Sequence, residues 1–265
     1  MLINMPQFND LDLNNWKDSE IWTDSLWLIN ERDKAGKHSN FYHGNFVPQI
    51  PRQLILRYTK KNDTIFDPFV GSGTTAFEAE TLGRNCIGID IQSNLVEQIK
   101  SKIDSKNNFF EFITGDSADE KTFGHIKEVL KKYQKQAVQL AILHPPYADI
   151  IQFSDKKEDL SNAVSLKDFT DKFGKVVKNT LSILEHGRYI GVVIGDKYSK
   201  GRWIPLNFYC INEMMKLGLV LKSIVIKNMA GNRAKLNKEA IWRYRALSSD
   251  YYIFKHEYIL IFKYE

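Results

Sequence analysis

Asp67-Pro68-Phe69-Val70-Gly71-Ser72-Gly73-Thr74-Thr75 stands between two runs of different character. Before it, Asp63-Thr64-Ile65-Phe66 has the length and apolar content of a short buried strand. After it, the run from Ala76 to Leu82 reads as a helix closed by Gly83. A strand, a glycine turn and a helix N-terminus together make a nucleotide-type cradle. Gly71 and Gly73 let the backbone turn tightly and approach a ligand, and the unpaired N–H groups of the helix start point at a carboxylate or phosphate. The spacing Gly71-x-Gly73 lacks the third glycine of the dinucleotide fingerprint and the Gly-Lys-Ser/Thr of a P-loop, which turns the reading away from NAD and ATP. A second strand, Asn85-Cys86-Ile87-Gly88-Ile89-Asp90, ends on an acidic residue, placed to accept hydrogen bonds from both hydroxyls of a ribose.

Further along, Ala141-Ile142-Leu143 forms the end of another apolar strand and runs into His144-Pro145-Pro146-Tyr147. Open α/β sheets place ligands at the C-terminal ends of their strands. Two consecutive prolines fix φ and remove two N–H donors, so the carbonyls there are rigid acceptors facing whatever binds. The bland reading of the same residues is a strand-ending turn with a packed tyrosine, and the cradle upstream argues against it.

The D-P-F-x-G-S-G-T-T run, the acidic end of the next strand and the x-P-P-Y turn resemble the S-adenosylmethionine-dependent DNA amino-methyltransferases, which methylate adenine N6 or cytosine N4. The likeness runs from about His43 to Lys263, with His43 to Ile55 resembling the segment that packs on the methionine end of the cofactor. It implies cofactor contacts at Pro48, Asp67, Phe69, Gly71, Gly73, Thr74, Asp90, Ile91 and Asp116. Asp67 would orient the methionine amino group or cap the glycine turn. Asp116 would accept from the adenine amino group or close a surface turn. The resemblance makes His144, Pro145, Pro146 and Tyr147 the catalytic loop. The position-144 side chain and the Pro145 carbonyl would accept from the two N–H groups of the target nitrogen and turn its lone pair toward the sulfonium methyl, with Tyr147 stacked on the base. His144 departs from the Asp or Asn usual in adenine enzymes and the Ser usual in cytosine enzymes, so the target base stays open. Its neutral ring has one acceptor nitrogen, and its ordinary pKa suits it to receive the departing proton.

Strands are expected at 64–67, 85–90, 110–113, 139–143, 188–194, 219–227 and 256–263, with a helix from Ile50 to Tyr58 before the first. This alternation predicts a Rossmann-like class I methyltransferase fold: a mostly parallel seven-stranded sheet covered by helices, with an antiparallel hairpin at one edge. Residues 1–40 read as an arm with a short helix between Asp18 and Trp27, facing nucleic acid or packing on the domain. Residues 41–265 read as the catalytic domain, with insertions at about 148–166 and 229–252. Loops of that length are usually functional. The second carries Lys227, Arg233, Lys235, Arg243 and Arg245 among Asn228, Asn232, Trp242 and Tyr244, a mixture suited to phosphates and base edges. The motif order resembles the family's gamma arrangement, with a short recognition region that a homodimer or a second subunit would complete.

A hydrophobic share of 43% and aromatics at 12% over 265 residues exclude a disordered chain, and a formal charge of +5 permits a polyanion partner without requiring one. Two cysteines support neither a disulfide framework nor a thiolate metal site, no run is long enough to span a membrane, and no signal-peptide pattern opens the chain. A cytoplasmic enzyme acting on double-stranded DNA without a metal is the expectation. An RNA amino-methyltransferase and a catalytically silent nucleic-acid-binding subunit are the alternatives.

Overall fold

The structure, a computed structural model, describes residues 8–38, 44–147, 154–229 and 239–265. After a 3-10 turn at Leu13–Asp18 the chain runs through β1 (Leu26–Trp27), α1 (Gln49–Tyr58), β2 (Thr64–Asp67), α2 (Thr74–Thr81), β3 (Asn85–Asp90), α3 (Ser93–Lys100), β4 (Phe110–Thr114), α4 (Glu120–Lys132) and β5 (Val138–Leu143). It continues through α5 (Leu166–Leu181), β6 (Leu184–Ile194), β7 (Lys197–Ser199), β8 (Arg202–Ile204), α6 (Leu206–Lys216), β9 (Leu219–Asn228), α7 (Glu239–Leu247) and β10 (His256–Tyr264). β2 and β3 are buried along their whole length. That is the pattern of parallel strands covered on both faces, and it explains why they read as continuous apolar runs.

The main sheet has the order β1-β9-β10-β6-β5-β2-β3-β4. Pairings are parallel from β6 through β5, β2 and β3 to β4, whereas β10 runs antiparallel to both β6 and β9. The seven expected strands are all present, but the sheet has eight, because Leu26–Trp27 adds a parallel strand outside β9. Two residues carry no periodicity. This strand exists because the edge of β9 offers it a ladder and because Trp27 buries its ring, leaving 7% exposed. β6 also starts at Leu184 instead of 188, through an irregularity in its pairing with β5 between Val138 and Leu140. β7 and β8 make a separate two-stranded hairpin.

Helices cover the sheet in two layers. α4, α5 and α6 pack one face through Phe123, Ile126, Phe169, Phe173 and Met214, and α1, α2 and α3 pack the other through Ile50, Leu54, Ala76 and Val96. The arm lies on this second layer. Phe8 packs on Tyr58 and Tyr189, Asp10 holds the buried guanidinium of Arg84 at 2.7 Å, and the Trp22 N–H donates to Gln53. The expected helix between Asp18 and Trp27 does not form: the 3-10 turn ends at Asp18, and Gln53 and Arg57 of α1, donating to the Glu20 and Trp22 carbonyls, hold the chain extended on its way to β1. Among the described residues, no helix is long and apolar enough to cross a membrane, and no cluster of His, Cys, Asp or Glu is arranged to hold a metal.

Candidate active site

The chain leaves β2 for β3 and β4 on one side and then returns to β5 on the other, so β2 and β5 flank the point where strand order reverses. A crevice opens there at the C-terminal ends of the strands. The glycine turn follows β2 and the His144-Pro145-Pro146-Tyr147 loop follows β5, which sets the two sequence motifs side by side. An open groove of about 670 Å³ lined by Asn62, Asn85, Lys100, Asn108 and Tyr133 lies at the opposite ends of the strands, away from both motifs.

The turn takes the shape its glycines permit. Gly71 has φ +53° and Gly73, which caps α2, has φ +92°. A Cβ on Gly73 would also lie 3.0 Å from Ile99. Two carboxylates secure the turn from within. Asp90 accepts from the Gly71 N–H at 3.0 Å and the Gln92 N–H at 2.8 Å, one bond on each oxygen, which leaves lone pairs on both. Burial pushes its carboxyl up to about 6, against the pull of those N–H groups. Asp67 accepts from the Phe69 N–H at 2.9 Å, and its Oδ2 is buried without a hydrogen-bond partner among the described residues, although the Thr75 hydroxyl is close enough to draw its pKa down. Burial, with Asp90 nearby, pushes this carboxyl up to about 7.

Asn45, inside the His43 to Ile55 segment, is a polar residue of the site to which the sequence motifs assign no role. Its Oδ1 accepts from Ser72 of the glycine turn at 2.7 Å, and its Nδ2 is buried without a partner among the described residues. A lone acceptor on Asp67 and a lone donor on Asn45, bonded to the same turn, suit a ligand that carries an ammonium and a carboxylate. The signal in the sequence was an asparagine next to Phe46 and Val47, where packing alone would take an apolar side chain. Pro48 is buried as the N-cap of α1. Thr74 is buried at the α2 start, and Phe69 and Ile91 are half-buried at the cradle rim, the Ile91 carbonyl accepting from Lys156 at 2.6 Å. Asp116 follows β4, accepts from the Ala118 N–H at 2.8 Å and has its carboxyl raised by burial, while neighbouring Ser117 ties the β4 turn to the Pro68 carbonyl at 2.6 Å.

In the His-Pro-Pro-Tyr loop the His144 ring packs edge-on against Phe46, with centroids 4.8 Å apart at 75°. Its Nε2 lies 3.2 Å from the Tyr147 hydroxyl, which donates to Glu257 Oε2 at 3.0 Å. Burial pushes the imidazole down to about 4, so the ring is neutral over the physiological range, and the idea that it receives a proton at an ordinary pKa is corrected. Burial and the Glu257 carboxylate push the Tyr147 hydroxyl up, keeping it a donor. A Cβ on Gly195 would lie 2.8 Å from the Tyr147 ring, so that ring rests directly on the backbone at the end of β6.

Lys227 does not belong to a solvent-facing basic loop. It is in β9, 6% exposed, opposite Glu257 in the β9–β10 register, with its Nζ 2.8 Å from Glu257 Oε1. Its strand position points it inward, so it cannot meet a phosphate. Arg243 and Arg245 are exposed on α7, where the Arg245 guanidinium sits 5.5 Å from the Trp242 ring. Arg233 and Lys235 lie outside the described residues, as do residues 148–153 and His43. The described part of the first insertion folds back on the cradle: Asp159 caps a 3-10 turn at Leu160–Asn162, and Lys156 reaches Ile91. Asp196 accepts from Trp203 and from the Asn207 N–H, a structural role at the β7–β8 hairpin and the start of α6.

Residues 6–101 match the family model described as DNA methylase, and residues 54–182 match one described as RMKL-like, methyltransferase domain. The chain is 39% identical over 99 residues to Type II methyltransferase M2.LlaDCHI of Lactococcus lactis subsp. cremoris, a stretch that covers 37% of this chain and 34% of that protein. It is 37% identical over 97 residues to Type II methyltransferase M2.DpnII of Streptococcus pneumoniae, covering 36% and 34%. The matched stretches thus span about a third of the length of these curated relatives. Among solved structures, TrmN from Thermus thermophilus superposes with a TM-score of 0.53 at 15% identity, covering 84% of this chain and 50% of that one. The fold is the Rossmann-like one of the S-adenosylmethionine-dependent methyltransferases.

Proposed function

We propose that this chain, whose cradle half resembles the DNA amino-methyltransferases, transfers a methyl group from S-adenosylmethionine to an exocyclic amino group in DNA, adenine N6 or cytosine N4, as the modification partner of a restriction system or on its own. One observation carries the reading. A glycine turn with a buried carboxylate oxygen and a buried amide donor that lack partners among the described residues stands beside a rigid His-Pro-Pro-Tyr loop, at the switch point in the parallel part of the sheet.

S-Adenosylmethionine, when bound, supplies an electrophilic methyl on a positively charged sulfur. Asp67 Oδ2 would hold its ammonium, Asn45 Nδ2 and the α2 N-terminus its carboxylate, Asp90 the ribose hydroxyls and Asp116 the adenine amino group. The target nitrogen is a poor nucleophile, because its lone pair is delocalised into the ring of its base. His144 and the Pro145 carbonyl accept its two hydrogens, draw the lone pair out of conjugation and aim it at the methyl. The Tyr147 ring, held on Gly195, offers the base a stacking face. His144 acts as a hydrogen-bond acceptor, and the displaced proton leaves to solvent.

Reaching a base inside a duplex requires flipping it out, at a cost of a few kcal/mol. Arg243 and Arg245 on α7, with Arg233 and Lys235, hold the backbone while this happens. The recognition surface is small, so a homodimer or a second subunit completes it. Two buried free cysteines suit a cytoplasmic setting. The test is incubation with tritiated cofactor and mixed DNA and RNA, followed by nucleoside mass spectrometry. N6-methyladenine or N4-methylcytosine in DNA supports the reading, label confined to RNA moves the substrate, and failure to bind the cofactor by calorimetry makes the chain a silent subunit.

A further inference from the structure

We infer that Glu257 and Lys227 are positioning residues that fix the direction of hydrogen bonding through Tyr147, so that His144 carries its proton on Nε2 and presents Nδ1 as the acceptor for the target amino group. The last step rests on the proposed function. The direction of the chain of bonds rests on the following geometry alone.

Lys227 and Glu257 face each other on neighbouring antiparallel strands and are joined at 2.8 Å, with side chains 8% and 9% exposed. An ammonium only donates, and the carboxylate paired with it only accepts. Glu257 Oε1 is engaged by Lys227, and Oε2 takes the single hydroxyl hydrogen of Tyr147 at 3.0 Å. With that hydrogen committed, the Tyr147 oxygen can only accept from His144 Nε2, 3.2 Å away. Nε2 therefore bears the hydrogen of the neutral ring, and Nδ1 keeps the lone pair. A charge pair across two strands thus sets the donor and acceptor roles of a ring in the loop that follows a third. The His144 ring packs edge-on against Phe46 and the Tyr147 ring lies against Gly195, contacts that favour the orientations this chain of bonds needs. Were the chain reversed, Nδ1 would carry the hydrogen and a donor would face the amino donor of the target.

Glu257→Gln tests this by exchanging one atom. The ammonium of Lys227 claims the amide oxygen, the amide NH2 then donates to the Tyr147 oxygen, and the tyrosine hydrogen must turn to His144 Nε2. Protein labelled with 15N-histidine reports the tautomer directly in two-bond 1H–15N spectra, and the His144 signals are identified by their loss in His144→Gln. The expected result is protonated Nε2 in the unaltered protein and protonated Nδ1 in Glu257→Gln. Methyl transfer should fall by about 10²-fold, the scale of one preorganised hydrogen bond lost from a transition state, with cofactor affinity unchanged. Should Glu257→Gln fail to fold, the double variant K227M/E257L removes both buried charges together and frees the tyrosine hydroxyl for the same reversal. Protonated Nδ1 in the unaltered protein, or a folded variant that keeps both the original tautomer and full turnover, overturns the inference. If the unaltered protein neither binds cofactor nor methylates nucleic acid, the proposed function fails, while the spectra still decide the direction of the chain of bonds.

Discussion

At the scale of single residues, two groups displaced by burial face the two halves of the crevice. Asp67 has a carboxyl raised from 3.8 to about 7 by burial. An acid raised on folding holds its proton more tightly in the folded chain. The ligand-free protein therefore loses stability as pH climbs from about 4 to about 7, by a few kcal/mol at most, and stays at that lower level above. An ammonium at Oδ2 reverses the preference. Cofactor binding at pH 6 should then release a proton, and affinity should rise with pH until about 7 and level off. Calorimetry in two buffers of different ionisation enthalpy measures the release; an identical heat in both would remove Asp67 from the ammonium site. His144 behaves oppositely. With its imidazole pushed down to about 4 by burial, it contributes no acid limb to the rate between pH 5 and 8, and any limb it causes lies near pH 4. A rate profile falling through the ordinary histidine range, and flattened in His144→Ser, would show that the ring titrates in the open.

At the scale of elements, the cradle depends on backbone that only glycine takes without strain. Gly73→Ala places a side chain at φ +92° and 3.0 Å from Ile99, in a helix cap that closes the turn. It should cost about 1–3 kcal/mol in denaturant unfolding and weaken cofactor binding with it. Affinity at the original level in a folded variant would mean that the turn does not touch the ligand. The same elements show what a sequence discloses. β2, β3 and β9 begin on the expected residues because apolar runs bounded by turn residues are local signals. So are the glycine turn and the Pro-Pro-Tyr loop, which depend on identity and spacing. β1 was not legible, since a two-residue strand draws its stability from an edge nearly two hundred positions away in the chain. Lys227 misled for a related reason. As one cation near a cationic loop it reads as solvent-facing, and only the register that sets it against Glu257 makes it a buried partner of the carboxylate that Tyr147 also meets. Asn45 likewise gained meaning only when its amide was found bonded to Ser72 with a donor left over.

At the scale of the whole molecule, the arm and the basic helix lie on different terms with the domain. Residues of the arm enter the second core layer: Trp27 and Ile29 are buried with α1, and the Ile29 N–H donates to Asn228. Arg32 grips the Asn45 and Phe46 carbonyls, and Asn45 in turn holds the glycine turn, so the arm supports the cradle from behind. α7 is different, for Ile241, Tyr244 and Leu247 stand exposed beside Arg243 and Arg245. Charge on an exposed helix is worth little to stability, so its value must be sought in binding. If both arginines sit on phosphates, replacing either with Gln should weaken DNA binding alike across sequences and lower the salt slope by about one unit, since each neutralised phosphate releases about one counterion. Arg243 should show the larger loss, because the Arg245 guanidinium already rests on Trp242. Binding titrations over a range of salt, with a specific and a random duplex, make the measurement. A loss confined to one sequence would assign that arginine to a base edge, and no loss at all would move the DNA path off α7.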